Sequence, residues 1–252
     1  MFTMFKRIIM GLFNFFSSKK EKTAEKAESI VVNNTNEEKI QIKNDIITPV
    51  TSKFLTDKSF NDIAKEFDLN PAHIRAIYEV EAGGKSGFLK ADNTKPVTLE
   101  EGHIFYKHAK KKGLNVQDLC NKYPTICYPK WTKKYYKSGL AEYARYELAK
   151  SVNEECAMLA TSWGIGQIMG FNYQQCGYKN VKDFVNDMYL SEEKQLRAMC
   201  MFIKSNTRMF NALKAEDWAT FASLYNGSGY ELNKYDVKLK IAYNKYKDSA
   251  TV

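Results

Sequence analysis

A chain of 252 residues with 44% hydrophobic and 13% aromatic content can bury a core of its own, which excludes a wholly disordered or low-complexity protein and leaves room for one domain of about 200 residues plus a tail. A formal charge of +9 directs it towards anionic partners: nucleic acid, acidic lipid headgroups or a polyanionic cell wall. Five cysteines, Cys120, Cys127, Cys156, Cys176 and Cys200, form no CxxC or Cys/His ligand pattern, so neither a metal nor another cofactor is expected, and their odd number leaves at least one thiol unpaired. Cys120 and Cys127 are near enough in sequence to bond, although synthesis in a reducing cytoplasm favours free thiols.

Residues 1–18, MFTMFKRIIMGLFNFFSS, carry no charge after Arg7. Phe5, Ile8, Ile9, Leu12, Phe13 and Phe16 make a helical stripe with Lys6, Asn14 and Ser17 off it, the pattern of an amphipathic helix lying on a membrane surface. The stretch is too short to span a bilayer, and a partner-binding helix or an atypical export signal fits the same pattern. Residues 19–50 turn polar with mixed charge, as expected of a flexible linker. The folded domain is expected over residues 51–248.

Thr56 or Asp57 can cap a helix through Phe60, Ile63, Ala64 and Phe67, and Asp68-Leu69-Asn70-Pro71 is a turn into a second helix. On that second helix Ile74, Ile77, Val80 and Glu81 share one face and Glu79 points the other way. Gly83-Gly84 stops the helix, leaving Glu81 in its last turn, at the negative end of the dipole and partly out of water. Both effects disfavour the carboxylate form, which is what a general acid at neutral pH requires. An acid at this place can equally reach solvent past the glycines. The two-helix rhythm also fits a helix-turn-helix, but its second helix offers only His73 and Arg75 to base edges, so no nucleic-acid partner is expected.

Residues 85–97 are rich in turn formers and long enough for a short hairpin or lobe beside the acid. Glu101 is a candidate second carboxylate, although Glu100 and Glu101 also fit a capping pair. Between residues 113 and 139 lie Tyr123, Tyr128, Trp131, Tyr135 and Tyr136 with two prolines, aromatics that suit either sugar stacking or an ordinary core. Residues 140–159 read as one helix. The following ATSWGIGQIMGFN spaces three glycines through Trp163, Ile165, Gln167 and Met169, a backbone that something approaches closely, with Gln167 able to bond a neutral polar ligand. With no lysine and no GxxxxGK[ST] pattern it is not a phosphate loop. Helices are expected over residues 181–187, 191–205 and 218–225, then the loop Tyr225-Asn226-Gly227-Ser228-Gly229-Tyr230, then a closing helix over residues 236–246.

Five stretches in order, VEAGG (residues 80–84), EGHIF (101–105), PTICYP (124–129), SWGIGQIMGFN (162–172) and YNGSGY (225–230), resemble the signatures of the N-acetylmuramidase domain of bacteriophage endolysins. More distantly they are similar to goose-type lysozymes and lytic transglycosylases. The resemblance covers residues 55–246. It implies a mainly α-helical, lysozyme-like α+β domain with a small hairpin or lobe beside the catalytic helix. It further implies a metal-independent glycoside hydrolase acting in the periplasm or cell wall on peptidoglycan strands. Glu81 matches the family's catalytic acid, and Glu101 a second glutamate that positions water or stabilises an oxocarbenium-like transition state. Ser162, Trp163, Gln167, Met169, Tyr225, Asn226 and Tyr230 match substrate-groove positions. Two alternatives stay open, a lytic transglycosylase forming 1,6-anhydro products and a catalytically weak wall-binding module. The chain departs from the pattern at Ala82, where serine is usual, and at Glu100, where an aromatic is usual. A crowded Glu100-Glu101 pair is therefore expected to perturb the second site.

Overall fold

The computed structural model describes residues 52–249; the amphipathic stretch and the linker expected before them lie outside the described residues. The chain enters through a capping box. The Thr56 hydroxyl accepts from the Ser59 N–H while the Ser59 hydroxyl accepts from the Thr56 N–H, and helix α1 (Asp57–Phe67) starts there. Asp68 turns left-handed at φ 53°, and the Asn70 side chain accepts from the Ala72 N–H at 2.8 Å to cap α2 (Pro71–Ala82). Pro71 occupies a first-turn position where a missing N–H removes no helical bond. Ile74 and Ile77 are fully buried, which contributes about 2–3 kcal/mol for each side chain. Gly83, at φ +58°, ends the helix by donating its N–H to the Glu79 carbonyl.

A hairpin of β1 (Phe88–Leu89) and β2 (Asp92–Pro96) follows, then β3 (Thr98–Glu100). Strand β3 pairs antiparallel with β4 (Thr161–Trp163), which pairs in turn with β5 (Ile168–Met169), so Leu99, Ser162 and Met169 lie side by side across the sheet. Helices α3 (Gly102–Lys111), α4 (Val116–Lys122), α5 (Gly139–Val152) and α6 (Glu154–Ala160) fill the connection from β3 to β4. Beyond β5 come α7 (Val181–Leu190), α8 (Glu192–Lys204), α9 (Thr207–Lys214), α10 (Trp218–Asn226) and α11 (Tyr235–Ser249), the last packed along α2. The result is the expected mainly helical α+β domain with its hairpin beside the Glu81 helix.

Several features differ from the sequence reading. The single helix expected over residues 140–159 is two helices, because Asn153 leaves helical geometry (φ −159°, ψ 107°) and its side chain accepts from the Cys156 N–H at 3.0 Å to start α6. Helix α9 and the three-stranded sheet also went unforeseen; strands of two or three residues are too short to show alternation. The helix-turn-helix alternative fails on burial. His73 is 5% exposed between Trp218 and Tyr243, and Arg75 is held by Asp57 at 2.7 Å.

Gly170, just after β5, joins the sheet to α6 through backbone contact. A Cβ there would lie 1.9 Å from the Met158 carbonyl oxygen. Gly170→Ala is expected to cost about 1–3 kcal/mol or more as backbone is forced apart, read as a lower urea midpoint at unchanged slope.

Candidate active site

Glu81 sits half-buried in the last turn of α2, and the phenol of Tyr235, at the start of α11, donates a hydrogen bond to its Oε1. Tyr235 is almost wholly enclosed, and burial beside Glu81 pushes its hydroxyl well above the ordinary tyrosine range, so it stays a donor at every physiological pH. With Oε1 engaged, a proton on this carboxyl belongs on Oε2, which has no partner among the described residues. The neighbouring Glu79 is held separately, accepting from Lys245 Nζ at 2.8 Å and the Tyr246 hydroxyl at 2.5 Å. Only one of the two acids is therefore left open for chemistry.

Tyr235 rests on Tyr225, with rings stacked at 6.3 Å, and Tyr225 stacks on Phe221 at 5.4 Å. Asn226 lies next to the Tyr235 hydroxyl. Asn226 is 3% exposed, so its amide faces the interior beside that hydroxyl. Tyr230, half-buried, opens the short 3₁₀ segment that leads to Tyr235.

A cleft of about 780 Å³ begins at Lys85 and Ser86, just past the end of α2. Phe88, Leu89, Thr98 and Leu99 give it apolar and hydroxyl lining, Lys85, Lys90 and Lys137 stand around it, and Gln167 closes one side. Gln167 is held at φ 43°, a strained conformation for a residue other than glycine, by three hydrogen bonds. Its Oε1 accepts from Ser162 Oγ at 3.0 Å, and its Nε2 donates to the Gly164 and Val97 carbonyls at 2.8 and 3.1 Å. Ser162 and Gln167 are thus brought together as the sequence order implied. Trp163 points into the core instead, whereas Met169, opposite Ser162 in the ladder, shares the sheet face of Ser162 and Leu99 and is itself buried. The indole of Trp163 packs edge-on against Tyr146 at 4.8 Å and donates to the Met158 carbonyl, which fixes the β4–β5 hairpin from behind.

Glu101 is 1% exposed at the start of α3. Its Oε2 accepts from the Tyr136 hydroxyl at 2.6 Å and lies 3.3 Å from His103 Nδ1. The Tyr136 oxygen in turn accepts from the indole N–H of Trp131 at 3.0 Å, so the buried carboxylate anchors a chain that ends on an exposed aromatic. No hydrogen bond or ion pair joins Glu81 to Glu101 among the described residues. Glu100, expected to crowd Glu101, is drawn off by its own partner, Arg145. The guanidinium donates to Glu100 Oε2 at 2.7 Å, to Glu142 Oε1 at 2.6 Å and to the Thr125 carbonyl at 2.9 Å. Burial lifts the Glu100 carboxyl well above the usual range and raises Glu142 too, while Arg145 pulls both back.

One turn of α8 ties the two sides of the cleft together. Glu192 Oε1 accepts from Ser86 Oγ at 2.6 Å and the Gly87 N–H at 2.8 Å. Three residues on, Gln195 Oε1 accepts from the Ile165 N–H at 3.0 Å in the glycine-rich turn. Gly87 and Gly164 have to be glycine here, since a Cβ on either would fall within 2.6 Å of the Gln195 amide.

With this geometry in view, the comparisons with known proteins are decisive. A family model described as N-acetylmuramidase matches residues 70–247, most of the chain. The chain belongs to the N-acetylmuramidase family. Among solved structures it is similar to the crystal structure of Burkholderia AP3 phage endolysin, at 40% identity and a TM-score of 0.70, covering 79% of this chain and 72% of that one. A search of curated proteins returned no match. The muramidase is accordingly a glycoside hydrolase whose substrate is peptidoglycan, and the cell wall is where it works. Among its described residues, no cluster of three or more His, Cys, Asp or Glu side chains could hold a metal, and no helix is long and apolar enough to cross a membrane.

Several residues around the candidate site escaped the sequence reading: Tyr235, Thr98, Arg145, Glu192 and Gln195. Tyr235 is the one with a direct hydrogen bond to Glu81, and the one available signal was its place five residues after the YNGSGY loop. Tyr235→Phe removes that donor while keeping the stacked ring. It is expected to lower kcat about 10-fold with KM little changed, since a hydrogen bond to a charged group contributes about 1.5–3 kcal/mol.

Proposed function

We propose that Glu81 is the general acid of this muramidase, protonating the glycosidic oxygen between N-acetylmuramic acid and N-acetylglucosamine while water attacks the muramyl carbon. The observation that carries this reading is the one-sided hydrogen bonding of the half-buried Glu81. Tyr235 occupies Oε1, and Oε2 is left for a proton and a leaving group. Glu101 is too enclosed to hold an attacking water, so of its two expected roles the electrostatic one is favoured: its charge stabilises an oxocarbenium-like centre. The substrate contacts fall into two sets. Thr98 and Gln167 line the cleft and offer polar oxygens to sugar, while Asn226 stands behind the Tyr235 hydroxyl. Ser162, Trp163, Met169, Tyr225 and Tyr230 hold those groups in place from behind.

The lysines around the cleft support contact with an anionic wall, and an endolysin-type role follows from the same reading. Membrane-surface contact through residues 1–18 rests on their amphipathic stripe alone. The test is digestion of purified peptidoglycan with mass spectrometry of the released fragments. Reducing N-acetylmuramic acid ends are expected. Ends carrying a 1,6-anhydro ring would overturn hydrolysis in favour of transglycosylation, and glycan binding with no release would make the domain a wall-binding module.

A further inference from the structure

Cys120, near the end of α4, and Cys127, in the loop that follows, bring their sulfurs to 3.6 Å although both are free thiols. The chain between them is already folded back on itself. The Tyr123 N–H donates to the Leu119 carbonyl at 2.8 Å, and the Ile126 and Cys127 N–H groups donate to the Tyr123 carbonyl at 3.1 and 3.0 Å. A disulfide needs sulfurs about 2 Å apart, so the pair has to close by about 1.5 Å, within the range of a side-chain adjustment. The residue after Cys127 supports the second carboxylate: the Tyr128 oxygen accepts from the Gly102 N–H at 3.2 Å, and its ring stacks on His103.

We propose that Cys120 and Cys127 form a disulfide when the protein reaches an oxidising environment, closing the loop that supports the start of α3 and Glu101. The oxidant is a small-molecule disulfide such as oxidised glutathione. The thiolate of Cys120, the more exposed of the two, attacks one glutathione sulfur, forming a mixed disulfide and releasing a glutathione thiolate. Cys127 then gives its proton to solvent and attacks the Cys120 sulfur, which forms the internal bond and expels the second glutathione thiolate. Two electrons pass from the cysteines to the oxidant, and the two thiolates take up the two protons lost. Burial holds the Cys127 thiol up at about 12, which makes it the resolving partner and the second step the slower one.

This inference goes beyond the muramidase reading and does not depend on it. The experiment treats the reduced full-length protein with oxidised glutathione, beside Cys120→Ser and Cys127→Ser, and follows intact mass, peptide maps and thermal unfolding. Wild type is expected to lose two hydrogens and yield one cross-linked peptide joining Cys120 to Cys127, with a midpoint several degrees higher that dithiothreitol reverses. Cys127→Ser is expected to stop at a glutathione adduct on Cys120, and Cys120→Ser to form no ring and show no rise. A persistent glutathione adduct on wild type, a cross-link through another cysteine, or an unchanged mass would each overturn the proposal.

Discussion

Glu81→Gln is expected to lower the rate of peptidoglycan digestion at least 100-fold while leaving the fold intact. Glutamine keeps the shape of the side chain and retains an amide oxygen for the Tyr235 hydroxyl, so the contact between α2 and α11 survives. What disappears is the proton on the other oxygen, and general acid catalysis typically contributes 10²–10⁴-fold. Reducing ends released from purified peptidoglycan give the rate, and an unchanged unfolding midpoint shows that the protein is folded. Retention of more than about a tenth of wild-type activity would sink the general-acid assignment. Glu101→Gln is expected to act more weakly, because an enclosed carboxylate that already accepts from Tyr136 influences the reaction only through its field.

The sequence made the Glu81 helix legible almost to the residue. Cap, proline, apolar stripe and glycine stop are local signals, and α2 runs from Pro71 to Ala82 with Glu81 in its last turn as those signals required. The glycine-rich turn was legible as a place of close approach, but not what approaches it. That neighbour is Gln195, 30 positions away from Ile165, and no local pattern marks a residue whose partner is set by tertiary packing. The same limit hid Tyr235, which lies 154 positions from Glu81, and Arg145, which lies 45 from Glu100. The burial of Trp163, matched to a groove position, was hidden for a related reason. A tryptophan beside glycines suits a sugar platform, yet the alternation of a three-residue strand placed it on the core side while Ser162 and Gln167 met next to it. The hairpin after Gly84 was legible because its turn residues cluster; the sheet that carries Gln167 was not, because each of its strands is shorter than one period of evidence.

Arg145→Met is expected to be among the most destabilising single changes in the domain, and its cost is expected to depend on pH in an uncommon direction. The guanidinium is shared by two carboxyls that are themselves almost fully enclosed, and removing one partner of a buried ion pair costs about 3–5 kcal/mol, on the order of 10 °C in unfolding midpoint for a domain of this size. Burial, joined for Glu100 by the neighbouring charges of Glu142 and Glu101, already raises both carboxyls above the ordinary glutamate range; without Arg145 to pull them down they rise further. A carboxyl whose folded-state pKa exceeds its unfolded value binds its proton more tightly when folded. Its contribution is fully present below the unfolded pKa and is lost as pH climbs through the folded one. The deficit of the variant is therefore expected to be smallest near pH 4.5 and to widen towards neutrality, as two charges without a counter-ion are forced into the interior. Urea midpoints of wild type and variant at pH 5 and pH 7.5 measure this, and the double change Arg145→Met with Glu100→Gln is expected to recover part of the loss at the higher pH. A deficit of equal size at both pH values would mean that Arg145 acts by filling space rather than by neutralising Glu100 and Glu142.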